Sequence, residues 1–184
     1  MIESSYWRAE LRNDLAWLRK KRKYQRWSEK QHVLFERKLM IAAFQVRSLL
    51  ERPKVNDQAR GTCLPVLRYK KIGDQPFTVT GAGWPEDRFD MEHPEPHTLS
   101  ALEVCNQLIH YYWMQTITEG TAFISMLIFS DYQRHKWAYE MRIDDLLKLF
   151  SAFSEESSAI TSASFEWSDK KQDYALVKTN GSAQ

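Results

Sequence analysis

The stretch "AFISMLIFSDYQRHKWAYEMRI", Ala122–Ile143, decides the fold class. Its second half alternates Trp137, Tyr139, Met141 and Ile143 with Lys136, Ala138, Glu140 and Arg142, the period-2 signature of a strand with one covered face. Its first half, "AFISMLIF", is a short apolar run rich in β-branched and aromatic residues, bounded by Gly120 and by Ser130-Asp131, and reads as a central strand. "DYQRH" between them is then a hairpin loop.

Helical periodicity surrounds this hairpin. Downstream, Leu146, Leu147, Phe150 and Phe153 share one side of a helix expected to be capped by Asp144. Upstream, Trp7, Leu11, Leu15 and Leu18 form an apolar stripe over Ser4 to about Tyr24. Ser28 and Gln31 make a capping-box pair that starts a second helix over 29–51, although one long kinked helix is the alternative. Within it "LMIAAF", Leu39–Phe44, is apolar all round, which predicts burial on all sides, and Arg52-Pro53 ends the pattern.

The middle of the chain is less regular. Leu64–Ile72 and Phe77–Thr80 read as β-like runs around Gly73-Asp74. "AGWPEDRFDMEHPEPHT", with three prolines, reads as an irregular loop. Ser100 and Glu103 form a second capping box, opening a helix expected to run to about Thr116. "SASFEW" and "DYALVK" around "SDKK" predict a last hairpin. The expectation is a single α+β domain over residues 1–184: three to four helices on an antiparallel sheet of about four to six strands. Residues 1–28 are expected to form a basic helical extension or arm.

Charge is uneven along the chain. Residues 1–60 hold 15 Lys/Arg against 7 Asp/Glu, whereas residues 98–184 hold 7 against 11. "LRKKRKYQRW" concentrates Arg19, Lys20, Lys21, Arg22, Lys23 and Arg26 beside Tyr24 and Trp27. Cations neutralise phosphate and aromatic faces stack on bases, so these eight residues are the candidate nucleic-acid contacts. A solvated helix end whose cations complement the helix dipole has the same composition.

Several function classes drop out. No run approaches the roughly 18 apolar residues of a spanning helix, so no membrane role is expected and the location read from the sequence is cytoplasmic. Cys63 and Cys105 lie in unlike contexts, which argues against a structural disulfide. No phosphate loop, dinucleotide fingerprint or nucleophile elbow occurs, so no cofactor is expected. His93 and His97 with Glu92 and Glu95 match no structural-zinc spacing, and no metal is expected.

"VCNQLIHYYW", Val104–Trp113, sets Asn106 and His110 four residues apart on a helical pattern. The simplest account is the polar face of an amphipathic helix, with Glu103, Asn106, Gln107 and His110 opposite an apolar arc. "CNQLIHYY" also resembles the HEPN signature: an arginine, a polar residue, three variable residues and a histidine, often with an aromatic shortly after.

The resemblance implies a metal-independent ribonuclease or toxin of an antiviral-defence or toxin–antitoxin system. It makes Asn106 the polar position, His110 the acid/base and Tyr112 the trailing aromatic. Cys105 stands where that family carries its arginine. The cation that holds phosphate would have to come from Arg134, from the basic N-terminal helix or from a partner chain.

Two functions follow. The first is a non-catalytic interaction subunit of a cytosolic bacterial-type complex. Its partner is another protein subunit, a second copy or nucleic acid, met through the basic helix. The second is the ribonuclease-like alternative using Asn106 and His110.

Overall fold

The fold is taken from a computed structural model that describes residues 4–23, 27–51, 54–78, 84, 87–120, 122–155 and 159–181. Its elements in chain order are α1 (Ser4–Lys21), α2 (Glu29–Glu51), α3 (Asp57–Arg60), β1 (Cys63–Lys70) and β2 (Glu95–Ser100). There follow α4 (Ala101–Ile109), β3 (Tyr111–Glu119), β4 (Ala122–Ser130), β5 (Trp137–Arg142), α5 (Ile143–Ser154), β6 (Ile160–Ser168) and β7 (Asp173–Gly181). Five strands form an antiparallel sheet in the order β2-β1-β5-β4-β3, and β6 pairs with β7 in a separate hairpin. The chain is α+β, as the alternation in Ala122–Ile143 predicts, and β4 lies inside the sheet between β5 and β3.

Two capping boxes start helices as read. Ser28 N–H donates to Gln31 Oε1 (2.9 Å) while Gln31 N–H donates to Ser28 Oγ (3.3 Å), and Ser100 and Glu103 repeat the exchange ahead of α4. The helix after β5 starts differently from expectation. Arg142 occupies the cap position without a side-chain bond, and Asp144 sits in the first turn, where it pairs with Arg22.

One face of the sheet carries the helices. Leu64 and Val66 of β1, Met126 and Ile128 of β4, and Tyr139 and Met141 of β5 point into a core closed by α1, α2, α4 and α5. On the opposite face Tyr69, Leu127, Phe129 and Ala138 lie under Phe77 and Phe89 from the β1–β2 connection.

Four expectations need correction. The first helix is no arm: Leu11, Leu15 and Leu18 are fully buried, and Arg8 and Arg12 reach the C-terminal end of α5. There Arg8 donates to the carbonyls of Phe153 (2.5 Å) and Glu155 (3.0 Å) and to Lys54 (2.7 Å), and Arg12 donates to Ser154 (2.6 Å). They take up carbonyls that a helix end leaves without partners. The middle of α2 is not buried all round. Ile41 and Phe44 are 42% and 54% exposed, because the neighbouring elements cover only one side of it.

The helix at Ala101 ends at Ile109 and not near Thr116. "YYWMQTITE" is aromatic and β-branched, and it pairs with β4 as strand β3. Finally, part of the proline-rich stretch is strand: Glu95–Ser100 pairs with β1. Proline cannot donate to a ladder and is confined to edges, and Pro96 sits on the edge strand β2. Pro65 lies in the part of β1 beyond its pairing with β5, which covers Leu67–Lys70. Arg52-Pro53 and the end of the Phe77–Thr80 run lie outside the described residues.

Candidate functional site

The short α4 moves His110 off the helix. His110 is its C-cap, at φ −108° and ψ 31°, and its N–H donates to Asn106 O (3.1 Å). The backbone then enters β3, and Asp131 N–H donates to His110 O (2.9 Å), fixing the histidine beside the β4–β5 turn. The imidazole meets the ring of Tyr132 edge-on at 5.4 Å. Arg47 of α2 brings Nη1 to 3.4 Å from His110 Nε2 and holds Glu51 through Nε (2.7 Å). With Nε2 facing a donor, the imidazole proton belongs on Nδ1.

Cys105 is buried against the same arginine. Burial pushes its thiol up to about 12, and the nearby guanidinium of Arg47 works in the opposite direction without reversing this. A cation, Arg47, thus stands at this corner beside both Cys105 and His110, carried by α2, 63 residues upstream of His110.

The other members of the motif go elsewhere. Tyr112 points to the second face of the sheet, where Arg134 stacks on it with the guanidinium carbon 3.5 Å from the ring centroid. Arg134 also pairs with Asp131 (3.6 Å) inside the turn, so Ser130–His135 is a bonded turn. Gln107, expected on the polar face, is buried, and Leu102, expected on the apolar arc, is exposed. The buried side of α4 therefore includes Gln107 and leaves Leu102 out.

The basic run is largely engaged within the chain. Arg22 pairs with Asp144 and Arg19 donates to Ser151, both on α5. Lys21 lies over the Trp17 ring at 5.7 Å, and Trp27 packs on Phe35 (5.3 Å) and Phe123 (5.7 Å). Lys20 and Lys23 face solvent. Tyr24 and Arg26 lie outside the described residues. The histidines of "EHPEPH" separate: His93 bonds Asp90 (2.9 Å), and the His97 ring rests near Tyr139 (6.1 Å). Among the described residues no group of three or more His, Cys, Asp or Glu side chains is placed to hold a metal ion.

The least covered element is the hairpin β6–β7. Phe165 pairs with Leu176 and Trp167 with Tyr174, so these four side chains share one face. Phe165, Trp167 and Tyr174 are 47%, 53% and 65% exposed, and Trp167 meets Tyr174 edge-on at 5.4 Å. The root is tied down by Thr179, whose N–H and Oγ1 donate to Asp57 on α3 (3.0 and 2.7 Å). Period-2 alternation in "SASFEWS" reveals the face, but a covered strand alternates in the same way, so its exposure had no sequence signal.

The fold and these features define an α+β protein with a histidine–arginine corner at His110 and an apolar hairpin face at β6–β7. No protein family, curated protein or solved structure matches the chain. No described helix is long and apolar enough to cross a membrane.

Proposed function

We propose that this chain is a non-catalytic interaction subunit of a cytoplasmic assembly and that its partner is a protein. The observation that carries this is the face of β6–β7, with Phe165, Trp167 and Tyr174 about half open to water. A two-stranded hairpin is marginal alone, and a contiguous exposed apolar surface of this kind is a mark of an interaction site. The internal bonds of Arg19 and Arg22 support a protein partner over nucleic acid, since their charge already serves to fasten α1 to α5. Lys20 and Lys23 remain for an acidic contact. A photo-crosslinking residue placed at position 167 in cells tests this. The expected product is a covalent adduct with protein, lost when Phe165 and Tyr174 become serine. Adducts with nucleic acid alone, or none, overturn the reading.

One distance favours a second reading, the HEPN-like ribonuclease or toxin of a defence or toxin–antitoxin system. Arg47 stands 3.4 Å from His110 and provides the cation that Cys105 does not. On this reading His110 moves a proton and Arg47 holds the phosphate. Single-stranded RNA incubated with purified protein in a chelator is then cut, and His110→Ala and Arg47→Ala each abolish cutting. RNA left whole by the unaltered protein ends this reading.

A further inference from the structure

We infer that a cleft on the sheet face turned away from the helices binds a small organic cation, an apolar body carrying a protonated amine that pairs with Glu140. The cleft has a volume of about 710 Å³, within the range of small-molecule sites. Pro65, Leu67, Pro96 and Ile124 supply its apolar walls, and Asp145 in the first turn of α5 borders one end. The neighbouring part of that face is already covered, since Phe77 and Phe89 lie over Tyr69, Leu127, Phe129 and Ala138. Among the described residues, none that lines the cleft belongs to β6–β7 or to the corner at His110.

Glu140 is the exception on this apolar face. Across the sheet its partners are Leu67 on β1 and Leu127 on β4, and Leu67 in turn pairs with Pro96 on β2, so one carboxylate interrupts an apolar row. The hydroxyls of Tyr69 (2.5 Å) and Ser125 (2.6 Å), both buried residues, donate to its two oxygens. Burial and the adjacent carboxylate push the Tyr69 hydroxyl well above the tyrosine range, so it remains a donor. A carboxylate has about four acceptor sites, and two neutral donors leave the others for a further partner. Carboxylates withdrawn from water are ordinarily matched by a cation, and among the described residues Glu140, which is half-buried, has no ion pair.

The charges and the shape of the wall fit the same ligand. The lining holds three carboxylates, Glu119, Glu140 and Asp145, against the guanidinium of Arg142, which lies 4.0 Å from Asp145. His97 also lines the cleft, with its ring near Tyr139 (6.1 Å) of the helix-side core. A bulge sets the far wall: Ile117 pairs with Ser125 and Thr118 with Phe123, so the ladder passes over Ile124. Phe123 thereby joins the core under the helices, Ser125 reaches Glu140, and Ile124 borders the cleft. Bulges re-aim side chains in this way beside functional sites. Apolar walls take the body of the ligand and Glu140 takes its ammonium through charge-assisted hydrogen bonds, which fixes orientation.

Calorimetric titration of the full chain at neutral pH, with phenylbutylamine and with its uncharged counterpart phenylbutanol, tests this. The amine is expected to bind with a dissociation constant on the order of 0.1 mM, and the alcohol about 10-fold more weakly or worse. Glu140→Gln keeps an acceptor for the two hydroxyls and removes the charge, so it brings the amine down to the level of the alcohol and leaves the alcohol unchanged. Leu67→Trp, at a residue 37% exposed, fills the cleft and abolishes binding of both. An unaltered protein that ignores the amine, equal affinity for amine and alcohol, an amine affinity untouched by Glu140→Gln, or binding that survives Leu67→Trp overturns the inference. The comparison of amine with alcohol needs no substitution, so it decides the matter even where a variant folds poorly.

Discussion

Arg8 sits with Nη1 2.5 Å from the carbonyl oxygen of Phe153, 145 residues further along the chain, and its side chain is fully buried. One guanidinium thereby serves the end of α5 and, through Nη2, Lys54 before α3. Arg8→Ala should lower stability by about 3 kcal/mol, since it leaves buried carbonyls without donors and opens a cavity. Arg8→Lys should recover little, because an ammonium cannot reach in the fork geometry of a guanidinium. Urea unfolding measures both. A loss below about 1 kcal/mol for the alanine variant would show that the bonds are replaceable by water.

Acid should loosen the hairpin before the body. The hydroxyl and backbone N–H of Thr179 donate to Asp57 and hold its carboxyl below the ordinary aspartate range. A depressed folded value means that this contribution is complete above the unfolded value of about 3.9 and is lost as pH falls through the lower folded value. Amide exchange at Thr179 should accelerate in that window while β4 stays protected. Asp57→Asn keeps an acceptor but not the charge, and it should flatten the acid dependence. An unchanged profile in that variant would assign the titration to another group.

The two free cysteines should react at very different rates. Cys63 is exposed and Cys105 is buried, with its thiol pushed up to about 12. Thiolate is the reactive form, so a maleimide at neutral pH should label Cys63 alone until the protein unfolds. Equal labelling of both cysteines in native protein would contradict the packing of α4 on α2.

Local signals were strong where residues answer to their own neighbours. The bounds of α2 follow from a capping box and a helical repeat, and β5 follows from alternation. Tyr111–Glu119 defeated the same logic: its run is apolar without clean alternation, and only pairing with β4 decides between helix and strand. Pro96 looked like a loop residue because its tolerance depends on lying at a sheet edge, which is a property of the whole topology. The site is non-local in the same sense. Asn106 and His110 could be named from spacing, but Arg47 reaches His110 across 63 residues, and no pattern within "CNQLIHYY" points to it.

The two outer strands bear on how the protein survives at high concentration. A bare sheet edge offers its backbone to any passing strand, and ordered aggregation starts there. Here β2 carries Pro96, with Pro94 just ahead of it, and each removes a donor that an incoming strand would need. At the other border, the β3–β4 pairing is irregular between Tyr111 and Trp113 and again between Ile117 and Thr118, and such bulges bend a strand out of the flat geometry that stacking requires. Both borders of the sheet thus carry features that disfavour the addition of a further strand, which shifts contacts between molecules toward side-chain faces, where sequence can discriminate among them.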